Sequence, residues 1–355
     1  MPEKNKKIKV GIIFGGKSSE KEVSLESGRN VYYKLSAEKY EKIPIFVDTN
    51  LKLWKINDFL IVQNTTSDLE ALLPEYGEKI PYEKLPQLID FAFVIGHGKY
   101  LEDGCFQGFL EILNIPYNGP GVLGSALGMD KYTLRKILTS HGIKVPKYLA
   151  ISEREWANNK EKIIAEIKKK IGFPCLVKPS REGCSTGITV VKEENKLVEA
   201  IERALVWDKI ILVDEYIENA IEITCSVLGN ENLEALPLTE TPWQQNLEYL
   251  TLLDKFLPGG AEMITPARLD EETTKKVKEI AIKVCQILNL IGYPRIDLFV
   301  KNNEIIVLEP NTLPGVTPST MVFHQAAEVG MSPEEFLDKI IQLGLEAHKN
   351  KRGPL

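Results

Sequence analysis

Two strand-like runs separated by a short turn constrain the fold and chemistry of this chain more than any other feature. The runs are Pro294–Val300 and Glu304–Asn311. Side chains two apart on a strand share a face, so Glu309 and Asn311 point the same way, and a hairpin would bring Asp297 beside them. Two carboxylates and an amide oxygen suit Mg²⁺ that is also held by phosphates. A polar hairpin end with solvated acids is the alternative.

The bulk composition excludes several classes of protein. A chain of 355 residues is too long for one ordinary core, so two or three domains are expected. Apolar content of 43% and charged content of 26% are typical of a globular protein. The net charge of −6 argues against nucleic acid or an anionic membrane as the main partner. Any surface that binds anions must therefore be local.

Targeting and redox signals predict a cytoplasmic location. The sequence has no apolar run long enough for a transmembrane helix, and its charged start passes directly into a strand pattern rather than a signal peptide. The five cysteines are scattered and form no CxxC pair, which is typical of reduced thiols. We therefore expect no membrane partner.

Strand and helix patterns alternate in the first third of the chain. Lys7–Phe14 and Phe91–Gly96 read as buried strands, and each is followed by a glycine-containing loop. This alternation predicts an open, largely parallel sheet whose ligands gather beyond the carboxyl ends of the strands. The turn Asn118–Gly121 marks the end of this N-terminal α/β domain, which we place at residues 1–120.

The remaining chain is divided into two α+β units. A small central domain is predicted over residues 121–217, in which Ala126–His141 reads as one helix, and a C-terminal domain over residues 218–355. In the latter, Ser332 and Glu335 form a capping box with Pro333 at the first helical position, which predicts the start of a last helix.

A glycine- and lysine-rich motif, CLVKPSREGCSTGI, lies in the central unit. Lys178, at the end of its first strand, can meet phosphate from one side while backbone N–H groups of the loop close from the other. The motif is not a Walker loop, because GxxxxGK[ST] is missing. A hairpin that binds nothing is the alternative. Downstream, the acids of Val213–Glu218 and Glu222 could hold an adenine amino group and ribose hydroxyls, although an exposed turn fits them equally well.

Taken in order, these segments resemble the ATP-grasp superfamily and, within it, the D-alanine–D-alanine ligase family. The resemblance covers nearly the whole chain and rests on FGGKSSEKEVSLESG, HGKYLEDGCFQGFLE, PYNGPGVLGSALGMDK, VKPSREGCSTGI, KFLPGGAEMITPA, GYPRIDLFV and LEPNTLPGVT. It implies the three-domain ATP-grasp fold, with an N-terminal open parallel α/β sheet, a small central α+β domain and a C-terminal α+β domain.

The resemblance also implies the residues of the site. Its ATP-binding positions are Lys131, Lys178, Ser185, Glu215, Tyr216, Glu218, Glu222 and Lys255. Its metal ligands, for Mg²⁺ or Mn²⁺, are Asp297, Glu309 and Asn311. Its catalytic positions are Glu20, Cys184, Arg295 and Gly315. Its substrate-binding positions are Glu20, His97, Lys255, Phe256, Thr320 and Met321.

The chain departs from the family pattern at the amino-acid pockets. Cys184 replaces a serine of the network around Glu20, and a thiol is a weaker hydrogen-bonding group than a hydroxyl. Phe256 stands where most relatives have tyrosine, which is similar to ligases that accept D-lactate. Thr320 replaces a serine, and Tyr100–Leu101 replace Gly-Gly. The metal and phosphate positions are intact.

Three functions remain after this comparison. The resemblance implies an ATP-dependent ligase that joins two D-alanines for peptidoglycan precursor synthesis and acts in the cytoplasm as a homodimer. An alternative keeps the chemistry but takes D-lactate or another small D-amino or D-hydroxy acid as second substrate. A nucleotide-binding protein without ligase activity is the third, and the intact lysines and metal ligands disfavour it.

Overall fold

The structure is a computed structural model that describes residues 7–183, 186–242 and 262–351, and the fold is given for these residues. Its strands form three sheets, which follow one another along the chain. The strands are β1 Ile8–Gly15, β2 Tyr40–Val47, β3 Leu53–Lys55, β4 Glu78–Ile80, β5 Phe91–Val94, β6 Tyr148–Ser152, β7 Cys175–Pro179, β8 Thr189–Val191, β9 Ile210–Glu215, β10 Ile221–Leu228, β11 Glu234–Ala235, β12 Thr239–Thr241, β13 Arg295–Lys301 and β14 Glu304–Asn311.

Helices cover these sheets and begin mostly at the polar residues that sequence rules favour. They are α1 Lys21–Lys34, α2 Asp58–Ile61, α3 Thr66–Tyr76, α4 Leu85–Leu88, α5 Cys105–Ile112, α6 Val122–Met129, α7 Lys131–Ser140, α8 Glu153–Lys170, α9 Leu197–Leu205, α10 Glu271–Leu288, α11 Met321–Ala327 and α12 Pro333–Lys349. The predicted capping box at Ser332 and Glu335 is present at the start of α12. No helix of the described residues is both long and apolar enough to cross a bilayer.

The first sheet has the order β4-β3-β2-β1-β5. Strands β2, β1 and β5 are parallel, whereas β3 pairs antiparallel with β2 and β4 pairs antiparallel with β3, so the predicted parallel pairing holds from β2 to the β5 edge of the sheet. The carboxyl ends of β1 and β5 are neighbours, because Ile13 pairs with Val94. The loops that carry Glu20 and His97 leave from this shared edge.

The second sheet has the order β6-β9-β7-β8, and the third has β11-β10-β13-β14 with β12 also pairing with β10. All strand pairs in both are antiparallel. Strands β13 and β14 form the predicted metal hairpin, with β10 paired to β13. Strand β7 carries Lys178, and β9 ends at Glu215 in the predicted acid run.

One helix prediction is wrong in a way that matters for the site. The expected single helix Ala126–His141 is two helices, α6 and α7, which are broken at Asp130. Asp130 has an extended backbone (φ −91°, ψ 92°), and its side chain accepts a hydrogen bond from the Thr133 N–H as the N-cap of α7. The break places Lys131 at the first position of a helix.

Hydrophobic packing crosses the domain boundaries predicted at residues 120 and 217, which stay predictions. The α12 side chains Phe336, Leu337, Ile340 and Ile341 are buried in the core of the first sheet. Each such burial contributes about 1.5–3 kcal/mol, so the last helix is firmly attached to the N-terminal unit. In the same way, Leu134 and Leu138 of α7 lie in the core of the third sheet.

Candidate active site

The predicted hairpin forms, and its register brings the expected oxygen ligands together. In the pairing of β13 with β14, Asp297 lies opposite Glu309 and Arg295 lies opposite Asn311. The Asp297 carboxylate accepts hydrogen bonds from Thr224 Oγ1 (2.9 Å), Arg295 Nε (2.9 Å), Arg295 Nη2 (2.8 Å) and Asn311 Nδ2 (3.1 Å). These donors fix the carboxylate on the sheet face that lines the cavity.

The chemistry of this donor set fits a hard divalent cation. Asp297 and Glu309 supply charged oxygens, and Asn311 supplies an amide oxygen. Glu309 Oε2 lies 3.2 Å from Lys131 Nζ, so the ligand set is continuous with a lysine predicted to bind phosphate. Nowhere in the described part of the chain do three His, Cys, Asp or Glu side chains gather as a metal site by themselves. The cation would therefore need the amide and further oxygens, such as those of phosphates.

The two predicted phosphate lysines line the same cavity. Lys178, in β7, lies 3.0 Å from Asp214 Oδ2, while Lys131 Nζ donates to the Glu182 carbonyl at 2.6 Å. Both lysine side chains are only 9% exposed. Burial lowers the pKa of Lys178, and nearby Asp214 opposes that shift. An anionic ligand beside such a buried ammonium stabilises its charged form, which burial disfavours.

A buried ion pair that sequence reasoning missed supports Lys178. Arg135 Nη1 and Nη2 donate to the two oxygens of Asp214 at 2.5 and 2.8 Å. Arg135 is fully buried, and it lies one turn after Lys131 on α7. Burial alone would raise the pKa of Asp214, but Arg135 and Lys178 together hold it below the ordinary value. That helical spacing was the one signal in the sequence that could have suggested Arg135.

The acids predicted to bind the nucleoside are placed differently from one another. Glu215, Tyr216 and Glu222 line the cavity, whereas Glu218 is exposed and lies outside its lining. In the pairing of β9 with β7, Asp214 lies opposite Leu176 and therefore shares the face of Lys178. Glu215 follows on the opposite face, and its carboxylate accepts the Lys147 N–H at 2.8 Å.

Loops from the first sheet close the other end of the cavity. Glu20 is 7% exposed and packs against the backbone of Gly183, where an added Cβ would lie 2.3 Å from Glu20 Oε2. Ser18 Oγ accepts the Glu20 N–H (3.2 Å) and donates to the His97 carbonyl (2.6 Å). The two loops are thereby held together around a carboxylate that faces the cavity.

His97 and Glu102 connect this end to the segment after β14. His97 is buried, burial lowers its pKa, and within the described residues its Nε2 has no hydrogen-bond partner. Glu102, which sequence reasoning passed over, accepts the Gly98 N–H (2.9 Å), Thr312 Oγ1 (2.9 Å) and the Leu313 N–H (3.1 Å). It therefore joins the histidine loop to the residues that directly follow β14.

The remaining predicted residues divide into two groups. Arg295, Gly315, Thr320 and Met321 line the same cavity. Thr320 Oγ1 donates to the Gly315 carbonyl at 2.8 Å, which closes the turn between them. Cys184, Ser185, Lys255 and Phe256 lie outside the described residues, so their expected roles stay predictions.

Known proteins match this chain along almost its full length. Two family models apply: "D-ala D-ala ligase N-terminus" matches residues 9–120, and "D-ala D-ala ligase C-terminus" matches residues 137–342. A D-alanine–D-alanine ligase of Carboxydothermus hydrogenoformans is 38% identical over 344 residues, which covers 96% of this chain and 100% of the relative.

Solved structures agree with the sequence matches. The VanG D-Ala:D-Ser ligase from Enterococcus faecalis superposes with a TM-score of 0.81 at 30% identity, over 96% of this chain and 100% of that one. The D-alanine–D-alanine ligase from Bacillus anthracis complexed with ATP gives 0.73 at 29% identity, over 98% and 100%. The ATP-grasp fold and the ADP-forming ligase class predicted from the motifs are thus confirmed. This chain belongs to the D-alanine–D-alanine ligase family.

Proposed function

We propose that the protein is an ATP-dependent ligase that joins two D-alanines through an acyl phosphate and so supplies a peptidoglycan precursor. One observation carries the proposal: a single cavity brings together the buried lysines, the oxygen-ligand hairpin and the Glu20–His97 loops. A phosphate donor at one end and an amino acid at the other would meet at its centre. Family membership supplies the substrate class.

The nucleotide end neutralises the charge of a triphosphate. Lys131 and Lys178 would meet phosphate oxygens, and Asp297, Glu309 and Asn311 would hold Mg²⁺ or Mn²⁺. Bound there, the cation supplies charge neutralisation for phosphoryl transfer. Asp214 and Arg135 keep Lys178 in place by fixed hydrogen bonds, so the lysine does not have to reorganise when the nucleotide arrives.

The amino-acid end orients two small substrates. Glu20 would pair with the ammonium of the first D-alanine. The carboxylate of that D-alanine then attacks the γ-phosphoryl group and releases ADP. The amine of the second D-alanine then attacks the acyl carbon, the C–O bond to phosphate breaks, and the amine loses a proton. Arg295 and the Gly315 N–H would stabilise the oxyanion that forms in this step.

A second candidate keeps this machinery and changes the second substrate. The VanG relative is named for D-Ala and D-Ser, so ligases of this fold are not confined to one second substrate. Phe256, in place of a tyrosine, and Thr320, in place of a serine, both concern that pocket. D-lactate or another small D-amino or D-hydroxy acid is therefore the alternative.

A substrate panel tests both candidates. The enzyme, ATP and Mg²⁺ are incubated with D-alanine alone, and with D-alanine paired with D-serine, D-lactate or L-alanine, and products are identified by mass. We expect D-alanyl-D-alanine, with one ADP formed per dipeptide. ADP release that does not depend on any added D-amino acid would contradict the ligase assignment and favour a nucleotide-binding role.

We also propose that the protein acts in the cytoplasm as a homodimer. The four described cysteines are free thiols, and ATP is an intracellular substrate. Ile112, Val122 and Leu123 are 85%, 44% and 60% exposed. Ile112 stands on α5, and Val122 and Leu123 stand on α6, which packs beside α5: a Cβ added at Gly108 of α5 would lie 3.7 Å from Val122 Cγ2. An exposed apolar patch of this kind favours a symmetric contact, and light scattering of wild type against Ile112→Glu tests it.

A further inference from the structure

The loop that follows β7 is attached to the N-terminal unit by an ion pair between Lys99 and Glu182. Lys99 follows His97 and Gly98 in the histidine loop, and its Nζ contacts Glu182 Oε1. The same ammonium donates to the Trp207 carbonyl at 3.2 Å. The Glu182 side chain is only 8% exposed, whereas Lys99 is 38% exposed. Lys99 is therefore the counter-ion of a nearly buried carboxylate.

That carboxylate belongs to a residue that also contacts a phosphate lysine. The Glu182 carbonyl accepts Lys131 Nζ at 2.6 Å, and Glu182 lines the cavity. Neighbouring residues fix this stretch of chain, since Arg181 pairs with Asp208 at 2.8 Å and Gly183 packs on Glu20. A negative side chain at this position would repel nucleotide phosphates unless a cation neutralised it.

The backbone around Lys99 is held in an unusual conformation. Tyr100 has φ +75°, which side-chain-bearing residues rarely adopt, and its ring lies 4.1 Å from Lys17 Nζ. Leu101 is buried against Gly96 and Gly16, where an added Cβ would meet it at 2.2 and 2.8 Å. Such strain persists only where surrounding contacts determine it. The fold thus fixes the direction in which Lys99 leaves its loop.

We propose that Lys99 is a positioning residue for ATP: its ammonium neutralises Glu182 and so lets the segment 180–183 stay against the nucleotide phosphates. This inference rests on the proposed function for its ligand, ATP, but not on which amino acids are joined. It predicts that ATP affinity falls when Lys99 is removed and Glu182 stays charged. Removing both charges should lower ATP affinity much less than removing Lys99 alone.

A charge cycle on nucleotide binding tests this proposal. Affinity for a non-hydrolysable ATP analogue with Mg²⁺ is measured by calorimetry, without D-alanine, for the wild type, Lys99→Met, Glu182→Gln and the double variant. Lys99→Met should weaken binding about tenfold, a discounted figure because the pair is partly solvated. Glu182→Gln should bind as well as the wild type, and the double variant should recover most of the loss.

Steady-state kinetics and a control variant complete the experiment. The same tenfold change should appear in KM for ATP, with kcat changed less than twofold. Lys144→Met removes a different, exposed ion pair, the one to Glu304, and should change neither KM nor kcat. The proposal is wrong if the double variant binds the analogue as weakly as Lys99→Met, or if Glu182→Gln loses as much affinity. In either case the ion pair would only hold the two loops together and would not act by neutralising Glu182. Analogue binding without D-alanine-dependent turnover would overturn the proposed function and leave this test valid.

Discussion

The two ends of the cavity are built in different ways. At the proposed nucleotide end, the candidate side chains stand on strands and on the first turn of a helix, and buried partners fix them, as Asp214 fixes Lys178. At the amino-acid end they stand on loops, and hydrogen bonds between loops position Glu20 and His97. The difference suggests that the chemistry is rigidly specified and that substrate choice can vary with loop sequence.

The buried pair behind Lys178 should give the largest effect. Asp214→Asn leaves Arg135 and Lys178 as uncompensated buried cations, so we expect the free energy of unfolding to fall by roughly 3–5 kcal/mol. Chemical denaturation measures this. Glu194→Gln, which breaks an exposed pair with Lys168, is the matched control and should change stability by less than about 1 kcal/mol. Equal effects would mean that the nucleotide end is not rigidly supported.

The metal hairpin should dominate turnover without affecting the fold. Glu309→Gln removes one of the two proposed anionic ligands, so kcat should fall by about 10²–10³-fold while the melting temperature stays within a few degrees. Glu304→Gln, at the turn of the same hairpin, is the control and should keep full activity. Near wild-type turnover of Glu309→Gln in saturating Mg²⁺ would exclude the proposed metal site.

A substitution of Lys178 should affect ATP and D-alanine differently, because the two substrates are proposed to bind at opposite ends of the cavity. Lys178→Ala removes a point charge for phosphate, so ATP affinity should fall by about 10- to 100-fold while KM for D-alanine changes little. Calorimetry with an ATP analogue and kinetics in varied D-alanine measure the two quantities. Equal losses for both substrates would contradict the division of the cavity into two ends.

The amino-acid end should show its own dependence on pH. Burial lowers the pKa of His97 below the ordinary value of about 6.5, so the unfolded chain takes up the proton first as pH falls. The neutral, buried imidazole therefore makes its full contribution to the free energy of unfolding above about pH 6.5. Below that pH the free energy of unfolding falls, by at most about 1.4 kcal/mol per pH unit. His97→Gln should remove this loss in denaturation series between pH 5 and 8. An unchanged slope would show that other groups cause it.

Phe256 should give the smallest effect, and it concerns selectivity. A tyrosine hydroxyl would add a hydrogen bond worth about 0.5–1.5 kcal/mol, or up to roughly tenfold. We expect the wild type to form some D-alanyl-D-lactate beside the dipeptide, most at low pH where less amine is free, and Phe256→Tyr to shift the ratio toward the dipeptide. Competition of D-alanine and D-lactate at pH 6 and pH 9 tests this. Absence of ester at both, with no effect of the substitution, would make Phe256 a packing residue.

Features that follow from the regular spacing of a strand could be predicted from the sequence, whereas contacts between distant parts of the chain could not. Asp297, Glu309 and Asn311 were predictable because strand alternation and a short turn determine which side chains meet. The Arg135–Asp214 pair was not, because its partners are 79 residues apart and no local pattern joins them. The helix break at Asp130 was missed because an aspartate inside an apolar period reads as an ordinary polar position until its capping bond is seen.

Loops were harder to predict for a physical reason. Glu102 joins the histidine loop to Thr312 and Leu313 across more than 200 positions of the chain, and this contact follows from how the sheets are arranged. Loop side chains have no fixed period, so the sequence alone cannot say which of them meet. Glu20 and His97 were predicted as site residues from the resemblance to a family, whereas the proposed metal hairpin was predicted from the spacing of its residues.

The most direct test of the account follows oxygen atoms during the reaction. D-Alanine labelled with ¹⁸O in its carboxylate is converted with ATP and Mg²⁺, and the inorganic phosphate is analysed by mass. If the carboxylate attacks the γ-phosphoryl group and the second amine displaces phosphate from the acyl carbon, each phosphate carries one ¹⁸O from the first D-alanine. Phosphate that contains no label, formed together with dipeptide, would contradict an acyl phosphate and the arrangement of the cavity proposed for it.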